Sequence, residues 1–545
     1  MGAPTGSATH EVTNQPPPLT GYDVFGTDAA LVEAVRRHGA EGDPGGLSDL
    51  GRKAGGEQAQ RWGAEANAHP PVLRTHDRYG HRVDEVDFHP SWHALMSVAV
   101  EEGLHGAAWA AGPTSHVRRA AGFVVWSQVE AGHCCPVSMT YAAVPALRTD
   151  PALAATWVPG LSATTYDPGL RAPDGKAGLL AGMGMTEKQG GSDVRANTTR
   201  AVPLGPDGEY ELTGHKWFCS APMCDVFLVL AQAPGGPTCF VVPRVRPDGS
   251  RNTFRLQRLK DKLGNRSNAS AEVELERTWA SRLGDEGRGV RTILEMVSAT
   301  RLDCVLGSTA LMRQAVVQAT HHAAHRSAFG GPLADKPLMQ NVLADLAVES
   351  EAATALALRM AHAVDTGEHE LQRIGVAIGK YWVCKRTPAV VGEALECLGG
   401  NGYVEESGLP RLYREAPLNS IWEGSGNVNA LDVLRALGRE PAAVEALRAE
   451  VALAGGADRR LDAAADRVGA ALAGADEASA RRVVESLALL LQGSLLVRHA
   501  PAAVADAFCA SRLAGDGSGS GLAPGTLPPG LNTRAVVERA TPRVT

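Results

Sequence analysis

Three glycine-rich stretches combine backbone donors, hydroxyls and charges at spacings that suit a ligand: 183–193 (MGMTEKQGGSD), 398–403 (LGGNGY) and 420–427 (SIWEGSGN). In the first, the N–H groups of Gly190 and Gly191 with the Ser192 hydroxyl suit an anionic or carbonyl-rich ligand; a glycine-rich hairpin entry capped by Ser192 or Asp193 fits the same residues. In the third, Ser425 or Asn427 is placed to cap a following helix, whose amino end would also favour a phosphate. Glu423 precedes the glycine turn and follows Trp422, so a partly apolar cleft would raise its carboxyl toward the range of a useful base.

His321 and His325 lie one helical turn apart, with His322 between them. With no carboxylate or cysteine at ligand spacing, a solvated helix face and no metal is the expectation. Arg326-Ser-Ala-Phe-Gly330 closes the same helix, either as positive charge on its carboxyl end with a glycine stop or as an arginine for a phosphate.

The elements that must carry these residues change along the chain. Up to about Leu180, helix-length apolar patterns (93–104, 117–130, 139–147) alternate with connectors such as 41–46, an irregular helical region. From 181 to 288 the rhythm becomes short alternating runs (210–213, 226–232, 239–244, 254–259, 269–276), which predicts a compact antiparallel β-barrel domain. From 289 to 438, long helical segments (290–326, 338–366, 371–398, 427–437) predict a bundle. From 439 to 545 the chain is rich in Ala and Leu and predicts an appended helical domain of two or three helices, with a low-complexity segment at 515–530.

Composition limits the function classes. The 545 residues hold 53 Lys+Arg and 60 Asp+Glu, a net charge of −7, which excludes a surface built throughout for nucleic acid. From 441 to 545 there are eleven Arg, no Lys and eleven Asp+Glu, so that stretch is neutral. The first twenty residues carry neither Lys nor Arg and no apolar core, and no apolar run approaches about 20 residues, so a cytoplasmic protein without membrane segments is expected. Nine cysteines without a Cys-x-x-Cys pair are expected as small core residues. No Rossmann fingerprint, P-loop or nucleophile elbow occurs.

Taken in order, six motifs resemble those of the FAD-dependent acyl-CoA dehydrogenases: MTEKQGGSD (185–193), GHKWFCS (214–220), KLGNRS (262–267), RxxFG (326–330), GGNGY (399–403) and WEGSGN (422–427). The longer strings GMGMTEKQGGSD and RLKDKLGNRSNAS, PRLYRE and the extra C-terminal region resemble the branch of that family linked to the adaptive response to alkylating agents.

The resemblance implies a helical N-terminal domain, a β-barrel, a four-helix bundle, FAD held between barrel and bundle, and a homotetramer. It implies that Met183, Met185 and Thr186 line the flavin ring, that Ser192 lies near the pyrophosphate or the acyl-CoA arm, and that Phe218 and Ser220 pack on the ring. It further implies that Ser425 and Asn427 hold the adenosine diphosphate part, that Arg326 and Phe329 reach the FAD of a neighbouring subunit, and that Gly400 joins the cofactor contacts. Glu423 matches the catalytic base, which would take a proton α to an acyl-CoA thioester while hydride passes to flavin N5. One branch places its base on a bundle helix, at a position that reads Thr300 here, beside Arg301. Two positions where many members use Gln read Pro337 and Glu396, which alters the grip on adenine or pyrophosphate. The motifs name neither the acyl chain nor the electron acceptor.

Two functions fit these residues. One is a dehydrogenase of acyl thioesters. The other is a protein that protects DNA from alkylation with little or no turnover and binds double-stranded DNA through its C-terminal domain, where Arg459, Arg460, Arg481, Arg482, Arg498 and Arg512 would contact phosphates.

Overall fold

The computed structural model describes residues 9–39, 46–112, 114–515 and 523–543. The connector expected at 41–46 and the low-complexity segment at 515–530 lie partly outside them.

The N-terminal region contributes helices α1 (Ala29–His38), α2 (Leu47–Gly55) and α3 (Glu57–Ala68), a hairpin of β1 (Val72–His76) and β2 (Arg82–Asp87), and helices α4 (Pro90–Glu101), α5 (Ser115–Ser127), α6 (Cys134–Leu147) and α7 (Pro151–Leu161). The hairpin corrects the expectation of an irregular helical region. Its alternation is short and mostly exposed, and the turn between its strands carries Asp77 and Gly80, with Gly80 at φ 87°.

The barrel comprises β3 (Ala181–Gly184), β4 (Arg200–Pro203), β5 (Glu209–Ser220), β6 (Val226–Ala233), β7 (Gly236–Pro243), β8 (Phe254–Leu259) and β9 (Ser270–Leu283). Strand order β6-β4-β5-β9-β7 closes on itself through the β6–β7 pairing, so these five strands leave no free edge between them; β3 adds in parallel to β6 and β8 pairs with β9. The alternating runs supply the interior: Phe227, Phe240 and Leu256 are fully buried.

The bundle follows as α8 (Gly289–His325), the two-residue strands β10 (Ser327–Ala328) and β11 (Gly331–Pro332), α9 (Pro337–Thr366), α10 (His369–Cys397), α11 (Leu409–Glu415) and α12 (Gly426–Arg439). Gly367, at φ 69°, stops α9 and turns the chain into α10. Since α9 returns between them, α8 and α10 run in the same direction and their carboxyl ends share one end of the bundle.

Among the described residues the C-terminal region holds five α-helices, α13 (Pro441–Ala452), α14 (Arg459–Leu472), α15 (Ala480–His499), α16 (Ala502–Phe508) and α17 (Thr533–Ala540), more than the two or three expected. Leu447, Leu491 and Phe508 belong to the same buried cluster as Leu356 and Ile378 of the bundle, so this region shares a core with the bundle. Ion pairs reinforce the junctions: Arg539 of α17 bonds Glu33 of α1 (2.6 Å) and Glu351 of α9 (3.0 Å), and buried Arg119 of α5 bonds Asp303 of α8 (2.8 Å). All nine cysteines are buried and free.

Candidate active site

Glu423 occupies the turn that enters α12, in a left-handed conformation with φ 57°. A side-chain-bearing residue holds that conformation only where its surroundings over-determine it. Here three helices do so. Lys380 of α10, 1% exposed, donates its Nζ to the carbonyls on either side of Glu423, Trp422 O at 2.7 Å and Gly424 O at 2.6 Å. Arg301 of α8 donates Nε to the carbonyl of Glu423 itself at 3.0 Å. Asn429 of α12 donates to Gly424 O at 2.6 Å, and Trp422 is fixed through Asn419 to Ser308 (2.9 and 3.1 Å). Three consecutive carbonyls that no helix or sheet serves are thus all satisfied, each by a cation. Asp432 balances that charge, bonding Arg301 at 2.8 Å and Arg373 at 2.9 Å.

The Glu423 carboxylate accepts the Thr300 hydroxyl at 2.6 Å. Burial raises its carboxyl above the ordinary value, and the Thr300 hydrogen bond with the positive charges of Lys380 and Arg301 only partly opposes the rise. Cys135, at the start of α6, links this carboxylate to the barrel. Burial pushes its thiol up to about 12 against hydrogen bonds with Ser220 and Asn268, and the nearby Glu423 charge pushes in the same direction as burial. Ser220 ends β5 and pairs with Ser270 of β9, so Glu423, Thr300, Cys135, Ser220 and Asn268 form a chain of neighbours where barrel meets bundle.

The expected flavin-lining residues gather on the barrel side. Met183 lies on β3 opposite Leu228, and both Met183 and Met185 pack half-buried on the same apolar cluster as Trp422. Thr186 accepts the Trp217 N–H at 2.8 Å, which holds the motif against the strand that carries Phe218. Phe218 is 51% exposed, with Lys260 Nζ 4.7 Å from its ring centre. The loop beyond is pinned by buried Glu187, which accepts Thr198 N–H (2.6 Å), Thr199 N–H (3.1 Å) and Lys216 Nζ (2.8 Å). Burial would raise the Glu187 carboxyl, but these partners hold it well below its ordinary value. Gly191 is required beside Thr186, where a Cβ would come within 2.7 Å of the hydroxyl oxygen. Ser192 is exposed on this loop.

Ser425 and Asn427 flank the amino end of α12, and Ser425 makes no side-chain cap. A Cβ on Gly426 would meet Lys385 Cε at 2.8 Å and Arg481 Nη2 at 3.3 Å, so a bundle lysine and an arginine from α15 converge on that helix end.

Three expected cofactor residues lie elsewhere in the chain. Arg326 and Phe329 sit beyond the end of α8, about 40 Å along the helix from Thr300. Gly400 lies past the end of α10, about 25 Å or more from Lys380 by the same measure. Both sites are at the same bundle end. Phe329 is 93% exposed, and Arg326 donates to Asn14 O at 2.6 Å.

The six C-terminal arginines do not form one face. Arg512 pairs with Asp345 and with Glu349 (3.3 Å), Arg498 with Glu450 (2.5 Å), and Arg460 with Asp458 (2.6 Å) and Asp506 (2.8 Å). For these three the expectation of phosphate contacts is corrected, because the neutral composition of the region is realised as internal ion pairs. Arg459, Arg481 and Arg482 are exposed. The histidines are corrected too: His321 and His322 are buried, and His321 bonds Pro17 O at 2.8 Å.

The motif residues were found by local pattern. Lys380, Lys385, Arg301 and Cys135 carry no local pattern, because each acts on an element distant in sequence; Asn429 acts within five residues, on Gly424 O, and was local enough to find. One signal was available: Lys380 interrupts the apolar run from Ile378 to Val383 and could be buried there only with strong acceptors.

Comparison with known proteins fixes the family and the fold. Residues 14–168 match the model of the adaptive response protein AidB N-terminal domain, 182–278 the acyl-CoA dehydrogenase middle domain, and 287–438 the acyl-CoA dehydrogenase C-terminal domain. The chain is 47% identical to AidB of Escherichia coli (strain K12) over 508 residues, 92% of this chain and 94% of that one. The chain belongs to the acyl-CoA dehydrogenase family. Among solved structures, Caenorhabditis elegans ACDH-11 in complex with C11-CoA superposes with a TM-score of 0.83 at 27% identity, covering 94% of each chain. A glutaryl-CoA dehydrogenase from Mycobacterium smegmatis in complex with FADH2 shares the acyl-CoA dehydrogenase fold at TM-score 0.53 and 21% identity, covering 64% of this chain and 88% of that one. Among the described residues, no helix is long and apolar enough to cross a membrane.

Proposed function

We propose that the protein binds FAD in the cleft between barrel and bundle and removes a proton α to an acyl-CoA thioester with Glu423. The observation that carries this reading is the buried, cation-braced turn of Glu423, whose neighbour Trp422 packs on the same apolar cluster as Met183 and Met185 and which Cys135 joins to Ser220. The donor set fits a dinucleotide flavin: apolar and hydroxyl side chains where a ring would lie, and Lys385, Arg481 and the amino end of α12 where a diphosphate would lie. FAD, when bound, supplies the hydride acceptor for the β-carbon.

Glu423 does its work by holding and moving one proton. Its raised carboxyl value makes the carboxylate a stronger base than a surface glutamate, so the α C–H bond breaks with the proton passing to Glu423. Thr300 keeps the carboxylate oriented by a hydrogen bond to one oxygen. Arg301 and Lys380 are positioning residues, since they bond the backbone of the turn. The fully bonded turn holds the base in one place, as α-proton removal requires.

We further propose that Arg326, Phe329 and Gly400 act on the cofactor of a second copy, because one chain keeps them tens of ångströms from its own Glu423. The exposure of Phe329, Leu338 and Tyr403 at that bundle end supports self-association, and a homotetramer is the state we assign. A role in the response to DNA alkylation is supported by the match to AidB. Duplex binding through the C-terminal helices has narrower support, because it rests on Arg459, Arg481 and Arg482 once the paired arginines are set aside.

Anaerobic titration of the flavin-loaded protein with straight and branched acyl-CoA thioesters tests the reading. Bleaching of the flavin band by at least one thioester supports it. No bleaching by any, together with salt-sensitive duplex binding, would replace it by the DNA-protection reading.

A further inference from the structure

Between the β1–β2 hairpin and the segments around β7 and β8 lies a recess of about 180 Å³ lined by four arginines, Arg82, Arg244, Arg251 and Arg255, and a single carboxylate, Asp84. It belongs to no motif of the cleft.

The charges there are unequally matched. Asp84 is committed, accepting Arg82 Nε at 2.9 Å and the Leu256 N–H at 2.9 Å. Glu85, beside the recess, already pairs with Arg74 (3.1 Å) and Arg251, and Arg255 pairs outward with Glu276 at 2.6 Å. Arg244 has no ion pair among the described residues, although it is only 3% exposed. It donates to two carbonyls, Pro222 O and Asp84 O (the latter at 2.8 Å), and its Nε is a buried donor with no partner. Arg255 Nε is likewise buried without a partner. A buried guanidinium with no ion pair and an unused donor is costly, and a bound anion is one partner that would complete it. Burial, with Arg251 repelling, lowers the Arg244 value to about 10, and the charges of Asp84 and Glu85 oppose that only in part. The hairpin is bent to make this arrangement: Asp84 takes a left-handed φ of 48° and turns its carbonyl to Arg244.

We propose that this recess binds a small phosphate-type oxyanion, either free phosphate or the phosphoryl group of a small metabolite. Guanidinium groups match phosphoryl oxygens with paired N–H donors, and four of them around a recess no larger than a few water molecules favour one compact multivalent anion over an extended polymer. The orphaned Nε donors of Arg244 and Arg255 supply hydrogen bonds that no protein group now receives.

The test is calorimetric titration of the full, flavin-saturated chain with inorganic phosphate and with glycerol 3-phosphate, at constant ionic strength set by chloride. One site per chain is expected, weakened about tenfold in Arg251→Gln and in Arg244→Lys, since each loses charge-assisted hydrogen bonds. If Arg244→Lys does not fold by circular dichroism, Arg251→Gln and Arg255→Gln decide the matter. Tighter binding of the monoester assigns the site to a phosphorylated metabolite, and tighter binding of inorganic phosphate assigns it to the free ion. Absence of binding, or binding unchanged in all the folded variants, overturns the proposal. So does displacement of phosphate by a DNA duplex, which would make the arginines part of a nucleic-acid surface.

Discussion

The turn at Glu423 and the hairpin at 326–332 both belong to the bundle, yet they solve opposite problems. At the turn every exposed carbonyl has a donor, Lys380 is buried in making two of those bonds, and a residue with a side chain holds a left-handed backbone. At the hairpin Phe329 holds a left-handed backbone too, but it is almost fully exposed and Lys336 donates to its carbonyl from outside at 2.9 Å. The first is complete within one chain; the second is a surface that only another molecule could cover. A base must be fixed before substrate arrives, whereas a residue that reaches a neighbour's cofactor is fixed by assembly.

That contrast can be broken at either end. Phe329→Asp is expected to have the largest effect, dissociating the assembly in analytical ultracentrifugation and releasing flavin, while leaving the helical content of each chain intact. Retention of both assembly and flavin would show that the hairpin is merely solvated. Lys380→Met leaves the Trp422 carbonyl without a donor and Gly424 O with Asn429 alone, and is expected to cost about 2 kcal/mol of stability, read as a lowered denaturant midpoint at unchanged slope. A loss under about 1 kcal/mol would mean that water replaces the ammonium.

Smaller effects sharpen the picture at the edges of the turn. Arg481→Gln is expected to weaken FAD binding about tenfold in fluorescence titration, with Arg482→Gln as the unaffected control. Equal effects of both would point to a general field and not to a contact at α12. Thr300→Val removes a hydrogen bond that stabilises the charged form of Glu423, so its carboxyl rises further and the acid limb of the pH–rate profile moves to higher pH. An acid limb that stays in place would mean the hydrogen bond does not distinguish the two protonation states.

The sequence was legible where function is local. The glutamate before a glycine turn, the threonine and methionines of the barrel motif and the periodicities of 181–288 and 289–438 all depend on neighbours within a few residues. It was illegible where meaning depends on contact. Six arginines in a neutral stretch look alike, but Arg512 is placed against Asp345, Arg481 against Gly426, and Arg459 into solvent. The C-terminal helices read as an appended unit because their amphipathic pattern says only that each buries a face, not that the face meets α9 and α10. The β1–β2 hairpin was missed because its exposed strands lack the apolar alternation that marks a core strand.

The central claim is that Glu423, held in a prearranged turn, is the group that takes the α-proton. Exchange of α-hydrogen for deuterium in an acyl-CoA analogue that cannot be oxidised measures that step alone, by nuclear magnetic resonance of the analogue in heavy water with the flavin-loaded protein. The expected result is catalysed exchange that falls by about 10²–10⁴-fold in Glu423→Gln. Exchange at the same rate in Glu423→Gln would contradict the assignment and move the base elsewhere in the cleft.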